Sequence, residues 1–219
     1  MPHLLHLDSS ADLSTSRSRA ITATFAQAWR EAGPGYAVTA RDLHRDPVPH
    51  LADASLHWAP AVRPADAAPP AGAVAAQEEL MAELLAADVL LVGAPLYNYT
   101  VPSALKAWLD NIHVPGWTTP FGDLDTQPLA GRPAVVVSSR GVAYDPGTPM
   151  EGQDHGVPVL ELILGAKLGM AVEVITTSLT LAGFVPALAS SADRARAELA
   201  RARETAAATA RRLAASLAR

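Results

Sequence analysis

Near the amino terminus the run Asp8-Ser9-Ser10-Ala11-Asp12-Leu13-Ser14-Thr15-Ser16-Arg17-Ser18 carries five serines and a threonine and leads straight into a helical pattern. Hydroxyl donors beside the N–H groups of a first helical turn, at the positive end of its dipole, suit a phosphate. The same residues also suit simple capping, because serine is a favoured N-cap. The run has neither the glycines and lysine of a P-loop nor a G-x-G-x-x-G, which disfavours nucleoside triphosphates and the dinucleotide fingerprint. A second segment, Ala94-Pro95-Leu96-Tyr97-Asn98-Tyr99-Thr100-Val101-Pro102, sets two aromatics around an amide. Such a group contacts a flat heteroaromatic ring while backbone atoms meet its polar rim, unless both tyrosines pack into the core. In a third, Ser139-Arg140-Gly141-Val142-Ala143-Tyr144, Gly141 permits close backbone approach, and Arg140 either orders the loop or offsets anionic charge.

Composition narrows the chemistry. The 219 residues include no cysteine, so thiolate nucleophiles, disulfides and iron–sulfur ligation are absent and any redox chemistry needs a bound cofactor. Histidines 3, 6, 44, 50, 57, 113 and 155 show no helical ligand spacing, and no metal site is expected. Without a G-x-S-x-G elbow a serine hydrolase is disfavoured. A formal net charge of −5 argues against nucleic acid as a partner. No apolar run approaches the roughly 20 residues of a membrane span. MPHLLHLDSS lacks the features of a secretory signal, so a cytoplasmic location is expected.

Chemistry spread over three loops needs a scaffold that brings them together. Leu4 to Leu7 reads as a first strand, and Ile21, Phe25 and Trp29 as the buried stripe of the helix after it. Gly33-Pro34-Gly35 ends that helix, and Tyr36 to Leu43 alternates as a second strand. Residues 44 to 70 hold six prolines and read as a long covering loop. Leu80, Met81, Leu84 and Leu85 mark the next helix, and Val89 to Ala94 is a continuous apolar run of the kind covered on both faces. Ala104, Leu105, Trp108, Leu109 and Ile112 give a further helix, opened by Pro102. A Gly/Pro-rich loop over 113 to 133 leads to a fourth strand, Ala134 to Ser138. Val157 to Leu168 reads as a helix and Ala171 to Thr177 as a fifth strand. Ser190 to Arg219 reads as a long amphipathic helix whose arginines are interleaved with Asp193, Glu198 and Glu204, as on a solvated face. Five strands alternating with five helices predict a single α/β domain over residues 1–219. The expected architecture is a flavodoxin-like, doubly wound, five-stranded parallel sheet of order 2-1-3-4-5 with helices on both faces. Ligands of such sheets sit outside the carboxyl ends of the strands, beside strand 1, where the loops after strands 1, 3 and 4 meet.

At these loops the chain resembles the FMN-dependent NADH-azoreductases, a family of flavodoxin-like NAD(P)H:quinone reductases. The resemblance runs over nearly the whole chain. It is carried by Ser-Ser-x5-Ser-x-Ser from Ser9 to Ser18, by Pro-Leu-Tyr-Asn-Tyr-x-Val-Pro-x-x-Leu-Lys-x-Trp-Leu-Asp from Pro95 to Asp110, and by Ser-Arg-Gly at 139 to 141. Asp154, Pro158, Leu160, Leu164 and Gly165 extend it. The resemblance implies bound FMN and NADH or NADPH as electron donor. It further implies reduction of quinones, cleavage of aromatic azo compounds, or both, by ping-pong two-electron hydride transfer through flavin N5. It also implies a homodimer with active sites at the interface. Ser10, Ser16, Arg17 and Ser18 would hold the phosphate. Leu96, Tyr97, Asn98 and Tyr99 would line the ring, with Ser139, Arg140, Gly141 and Val142 along its other edge. No obligatory acid or base is implied, and Tyr144, Trp58 and Phe121 are the substrate-contact candidates. A dedicated biosynthetic reductase or dehydrogenase for one aromatic metabolite and a flavodoxin-type electron carrier are the alternatives. Three departures stand out: Leu96 replaces a methionine, Val142 stands where a second glycine is common, and residues 164–169 are one residue longer than the family's segment and lack its aromatic.

Overall fold

Apolar runs with no polar face must be covered on both sides, and the chain places two of them at the centre of a sheet. In the computed structural model, which describes residues 1–218, β3 (Val89–Pro95) is buried throughout and β4 (Pro133–Ser139) nearly so. With β1 (His3–Asp8), β2 (Ala37–Asp42) and β5 (Ala171–Thr177) they form one sheet in the order β2-β1-β3-β4-β5, every pair parallel. The order is the one expected. At the pairing of Asp8 with Gly93 the strands leave no room for a side chain: a Cβ on Gly93 would stand 2.5 Å from Asp8 Oδ1.

One face is covered by α1 (Arg17–Arg30) and α5 (Ala192–Leu217). Ile21, Phe25 and Trp29 are fully buried there in one cluster with Leu91, Val135 and Val137 of the sheet and Ala202, Ala206 and Ala210 of α5. The small side chains of α5 let the two helices approach closely. The other face carries α2 (Ala71–Ala86), α3 (Ser103–Ile112) and α4 (Gly156–Leu160), with Trp108 among its largest fully buried side chains. Each fully buried leucine, isoleucine or phenylalanine contributes roughly 1.5–3 kcal/mol, so both faces anchor the strand ends.

The helix expected over Val157 to Leu168 is α-helical only at its start. At Glu161 it passes into π-helical turns that run to Lys167, and the Leu168 amide reaches back five residues to the Ile163 carbonyl at 3.0 Å. An i→i+5 turn holds one residue more than an i→i+4 turn. Through these wide turns Leu160, Leu164 and Leu168 all stay buried. The proline-rich covering segment contains two short 3₁₀ turns, Ala54–His57, capped by Asp53, and Pro60–Val62. The terminal helix starts at Ala192 rather than Ser190. Before it, Thr180–Gly183 and Pro186–Ser191 form 3₁₀ turns that periodicity does not mark. Arg219, the last residue of the expected helix, lies outside the described residues. Among the described residues no helix is long and apolar enough to cross a membrane.

Candidate active site

Helix α1 opens with Ser16 as its cap, the Oγ accepting from the Arg19 amide at 3.3 Å, while the Ala20 amide bonds the Ser16 carbonyl at 3.2 Å. The N–H groups of Arg17 and Ser18 then have no acceptor within the helix. They add to the positive end of its dipole. Upstream, Asp12 folds the loop. Its carboxylate accepts from the amides of Thr15 (2.8 Å) and Ser14 (2.9 Å) and from both their hydroxyls, and these bonds, Thr15's foremost, hold its pKa down to about 2. Beneath the loop, Arg19 grips Asp42 with two hydrogen bonds of 2.8 and 2.7 Å, which chiefly draw the Asp42 pKa down to about 2. The same guanidinium donates to the Ser10 carbonyl from Nε (3.2 Å) and Nη2 (2.7 Å). The serine loop is thus fastened to the end of β2.

After β3 the chain reverses in a two-residue turn. The amides and carbonyls of Tyr97 and Thr100 exchange hydrogen bonds of 2.9 and 3.1 Å, and Asn98 and Tyr99 take φ values of 46° and 71°. Two successive left-handed residues are the signature of a type I′ turn. Asparagine tolerates that region; tyrosine does so poorly. The Tyr97 hydroxyl accepts from the Ala11 amide at 3.0 Å and lies 3.3 Å from Ser10 Oγ, so it ties this turn to the serine loop. Leu96 is placed from behind by α4, where a Cβ on Gly156 would come within 2.9 Å of Leu96 Cδ1.

The loop after β4 is ordered by Arg140. Its Nη2 lies 2.6 Å from Asp154 Oδ2, and its guanidinium stands 5.9 Å from the centre of the Tyr144 ring. Asp154 Oδ1 in turn accepts from the amides of Gly156 (2.8 Å) and Val157 (3.2 Å) at the start of α4. Burial raises the Tyr144 hydroxyl above its ordinary pKa. Neither Gly141 nor Val142 takes a positive φ, so a valine in place of a second glycine introduces no backbone strain.

These three loops enclose a cleft of about 500 Å³ at the carboxyl edge of the sheet. Ser10, Asp12, Thr15, Ser16 and Arg17 line one end, and Leu96, Tyr97, Ser139 and Gly141 the other. The volume lies within the roughly 300–1,000 Å³ of small-molecule sites. A further wall comes from Thr180, Leu181, Gly183 and Phe184. No periodicity marks this wall in the sequence; its signal is an apolar stretch after β5 that fits neither strand nor helix.

Several expected residues stand outside the lining. Ser18 is fully buried, its Oγ 3.1 Å from Ser16 Oγ, and is not part of the cleft lining. Asn98 and Tyr99 form the exposed tip of their turn. Arg140 and Tyr144 face each other and Asp154 behind the loop, and Val142 does not line the cleft. Trp58 and Phe121 pack edge to face, ring centres 5.0 Å apart, away from this cleft. A separate hollow of about 390 Å³ lies between β5 and α5; its acidic groups, Asp145 and Glu198, both pair with Arg194.

Residues 2–209 match the family model described as flavodoxin-like fold. The chain is 62% identical over 210 residues to an FMN-dependent NADH:quinone oxidoreductase of Kineococcus radiotolerans, covering 94% of this chain and 99% of that protein. It is 44% identical over 216 residues to one of Streptomyces avermitilis, covering 98% of each. Among solved structures, an azoreductase from Bacillus anthracis superimposes with a TM-score of 0.80 at 19% identity, over 97% of this chain and 100% of the other. A second B. anthracis structure, an FMN-dependent NADH-azoreductase in complex with FMN, gives 0.77 at 19% identity over 98% and 100%. At these identities the two structures speak for the fold alone.

Proposed function

The chain belongs to the flavodoxin-like fold family, and we propose that it is an FMN-dependent NADH:quinone oxidoreductase that also reduces aromatic azo compounds. The carrying observation is the meeting of the loops after β1, β3 and β4 in one cleft, with hydrogen-bond donors at one end and an apolar, aromatic lining at the other. A ligand joining a phosphate to a flat ring requires that division. The names of the relatives at 62% and 44% identity add FMN, NADH and quinone to it.

The residues present fit FMN. The N–H groups of Arg17 and Ser18 lack helical acceptors, and Arg17 lines the polar end together with Ser10 and Ser16. Asp12 lines the same end, but four donors already share its charge. When bound, FMN supplies the redox chemistry, taking a hydride from NADH or NADPH and delivering two electrons to the acceptor. The chain's own residues bind and orient it. Ser10, Ser16 and the first turn of α1 hold the phosphate. Leu96 and Tyr97, with Ser139 and Gly141 opposite, hold the ring, and the Tyr97 hydroxyl keeps the two ends in register by its bonds to the serine loop. No side chain is assigned as obligatory acid or base.

The reading takes residues 1–219 as one flavin-binding unit working in the cytoplasm as a homodimer. The partly exposed pair of Trp58 and Phe121 lies outside this chain's own cleft, so for these two side chains to contact an acceptor the cleft of a second copy would be needed. The test is to load the purified protein with FMN, desalt it and follow NADH oxidation. Retained flavin absorbance and NADH oxidation that depends on added quinone are expected. A protein that retains no flavin overturns the assignment, and one that retains flavin without quinone-dependent turnover is an electron carrier instead.

A further inference from the structure

The turn between β5 and α5 is held by more bonds than a connector needs. Three backbone hydrogen bonds fasten it to the loop after β4: Arg140 amide to Thr177 carbonyl (2.9 Å), Thr180 amide to Arg140 carbonyl (3.0 Å) and Leu181 amide to Gly141 carbonyl (3.0 Å). The Leu181 side chain lies across Gly141, where a Cβ would be 3.0 Å from Leu181 Cδ1. Leu179 is held at φ 62°, a left-handed conformation unfavourable to leucine, with its side chain buried. Ser178 is gripped from both sides: its amide donates to Glu198 Oε2 at 2.7 Å, and its carbonyl accepts from Arg17 Nη1 at 3.1 Å. The same Nη1 donates to the Ala195 carbonyl at 3.0 Å. On the cleft side this rigid turn presents Leu181, 41% exposed, and Phe184, 72% exposed.

We propose that Arg17 is a positioning residue that clips the β5–α5 turn into place as a further flavin-binding wall, with Leu181 and Phe184 covering the flavin ring system. The inference rests on the FMN reading above and adds to it a wall and a different task for the Arg17 side chain. Both hydrogens of Nη1 are committed to carbonyls, so Arg17 serves the phosphate through its backbone N–H, and only Nε and Nη2 are left to a side-chain contact. A phenylalanine lining a cleft with most of its surface in water gains by being covered, and a flat ring is the shape that covers it.

FMN and riboflavin share the ring system and differ by the phosphate, so they separate the two tasks. Each is titrated by fluorescence quenching into the flavin-free protein and into Arg17→Met, Leu181→Ala and Phe184→Ala. Arg17→Met is expected to weaken both flavins by the same factor, about 10-fold. The wall substitutions weaken both by about 3- to 10-fold, and Phe184→Ala leaves the melting temperature unchanged because its side chain is largely exposed. Combining Arg17→Met with Phe184→Ala adds less than the product of the two effects, since both act through one wall. If Arg17→Met weakens FMN and spares riboflavin, the guanidinium is a phosphate ligand and the clip is overturned, while the FMN reading stands. Wall substitutions that leave both flavins unaffected also overturn it. A wild-type protein that binds neither flavin overturns the clip and the FMN reading together.

Discussion

The serine loop after β1 and the turn after β3 face each other across the cleft and are stabilised in opposite ways. The serine loop is folded chiefly within itself, Asp12 bonding Ser14 and Thr15 and Ser16 bonding Arg19, with no positive φ between Asp8 and Ser18; its distant bonds run from Ser9 to the Gly93 carbonyl and from Ser10 and Ala11 to the Tyr97 hydroxyl. The turn after β3 places Asn98 and Tyr99 in left-handed backbone and is held from a distance, by the Leu96 amide on the Ser139 carbonyl (2.8 Å) and the His155 amide on the Tyr99 carbonyl (2.9 Å). On the proposed reading, a phosphate would meet a cradle folded largely by its own sequence, and the ring a surface whose shape depends on α4 and on the loop after β4.

The largest expected effect falls where the serine loop departs from self-sufficiency. Arg19→Ala removes the fork on Asp42 and the two bonds to the Ser10 carbonyl, and leaves Asp42 with only Arg45 at 3.8 Å and Asp8 with only His6 at 3.2 Å. A loss of about 3–5 kcal/mol in urea unfolding is expected, together with weaker FMN binding. A neutral result would mean that the loop needs no support from β2. Next comes the pair Ser10→Ala with Ser16→Ala, which should raise the FMN dissociation constant about 100-fold, as two bonds to a charged phosphate are lost. Its folding cost should stay near the ~1 kcal/mol of one lost cap. Affinity and stability falling equally would reduce the loop to a capping device. Across the cleft, Tyr99→Gly should stabilise the protein by about 1 kcal/mol by relieving the left-handed tyrosine; a loss measured by thermal unfolding would show that the Tyr99 side chain supports the turn.

The smallest effect concerns pH. The Asp12 pKa is lowered from the ordinary 3.8 to about 2, so the carboxylate's contribution to loop order is complete above about pH 4 and disappears as pH falls through about 2. Comparing melting temperatures of wild type and Asp12→Asn from pH 5 to pH 2 should show a gap that closes toward the acid end. A gap independent of pH would show that the charge of Asp12 is immaterial to the loop.

The same contrast explains which parts were legible in the sequence. The strands were marked by apolar runs and alternation and their order by the count of strands alternating with helices, and the serine loop by residues that bond chiefly within a few positions of themselves. The type I′ turn was hidden because Asn98-Tyr99 lacks the glycine that usually announces it. The wall at 180–184 was hidden because its cause is remote: Arg17 and Glu198 hold Ser178 from far along the chain. Arg140 was read as either ordering a loop or offsetting charge, and only the position of Asp154 decides for ordering. Trp58, Phe121 and Tyr144 are suggested by the resemblance and by the loops that carry them. Neither says which way a surface aromatic faces.

The wide turns between Glu161 and Lys167 work as an expansion joint. Removing or adding one residue inside α1 would turn its far half by about 100° and swing Phe25 and Trp29 off the sheet. Between Glu161 and Lys167 the wide turns would take up a residue as contour length, with β5 entering the sheet in register with β4. Libraries that vary length there should keep a folded flavin cradle while recutting the surface beside it, a freedom that the first helix does not have.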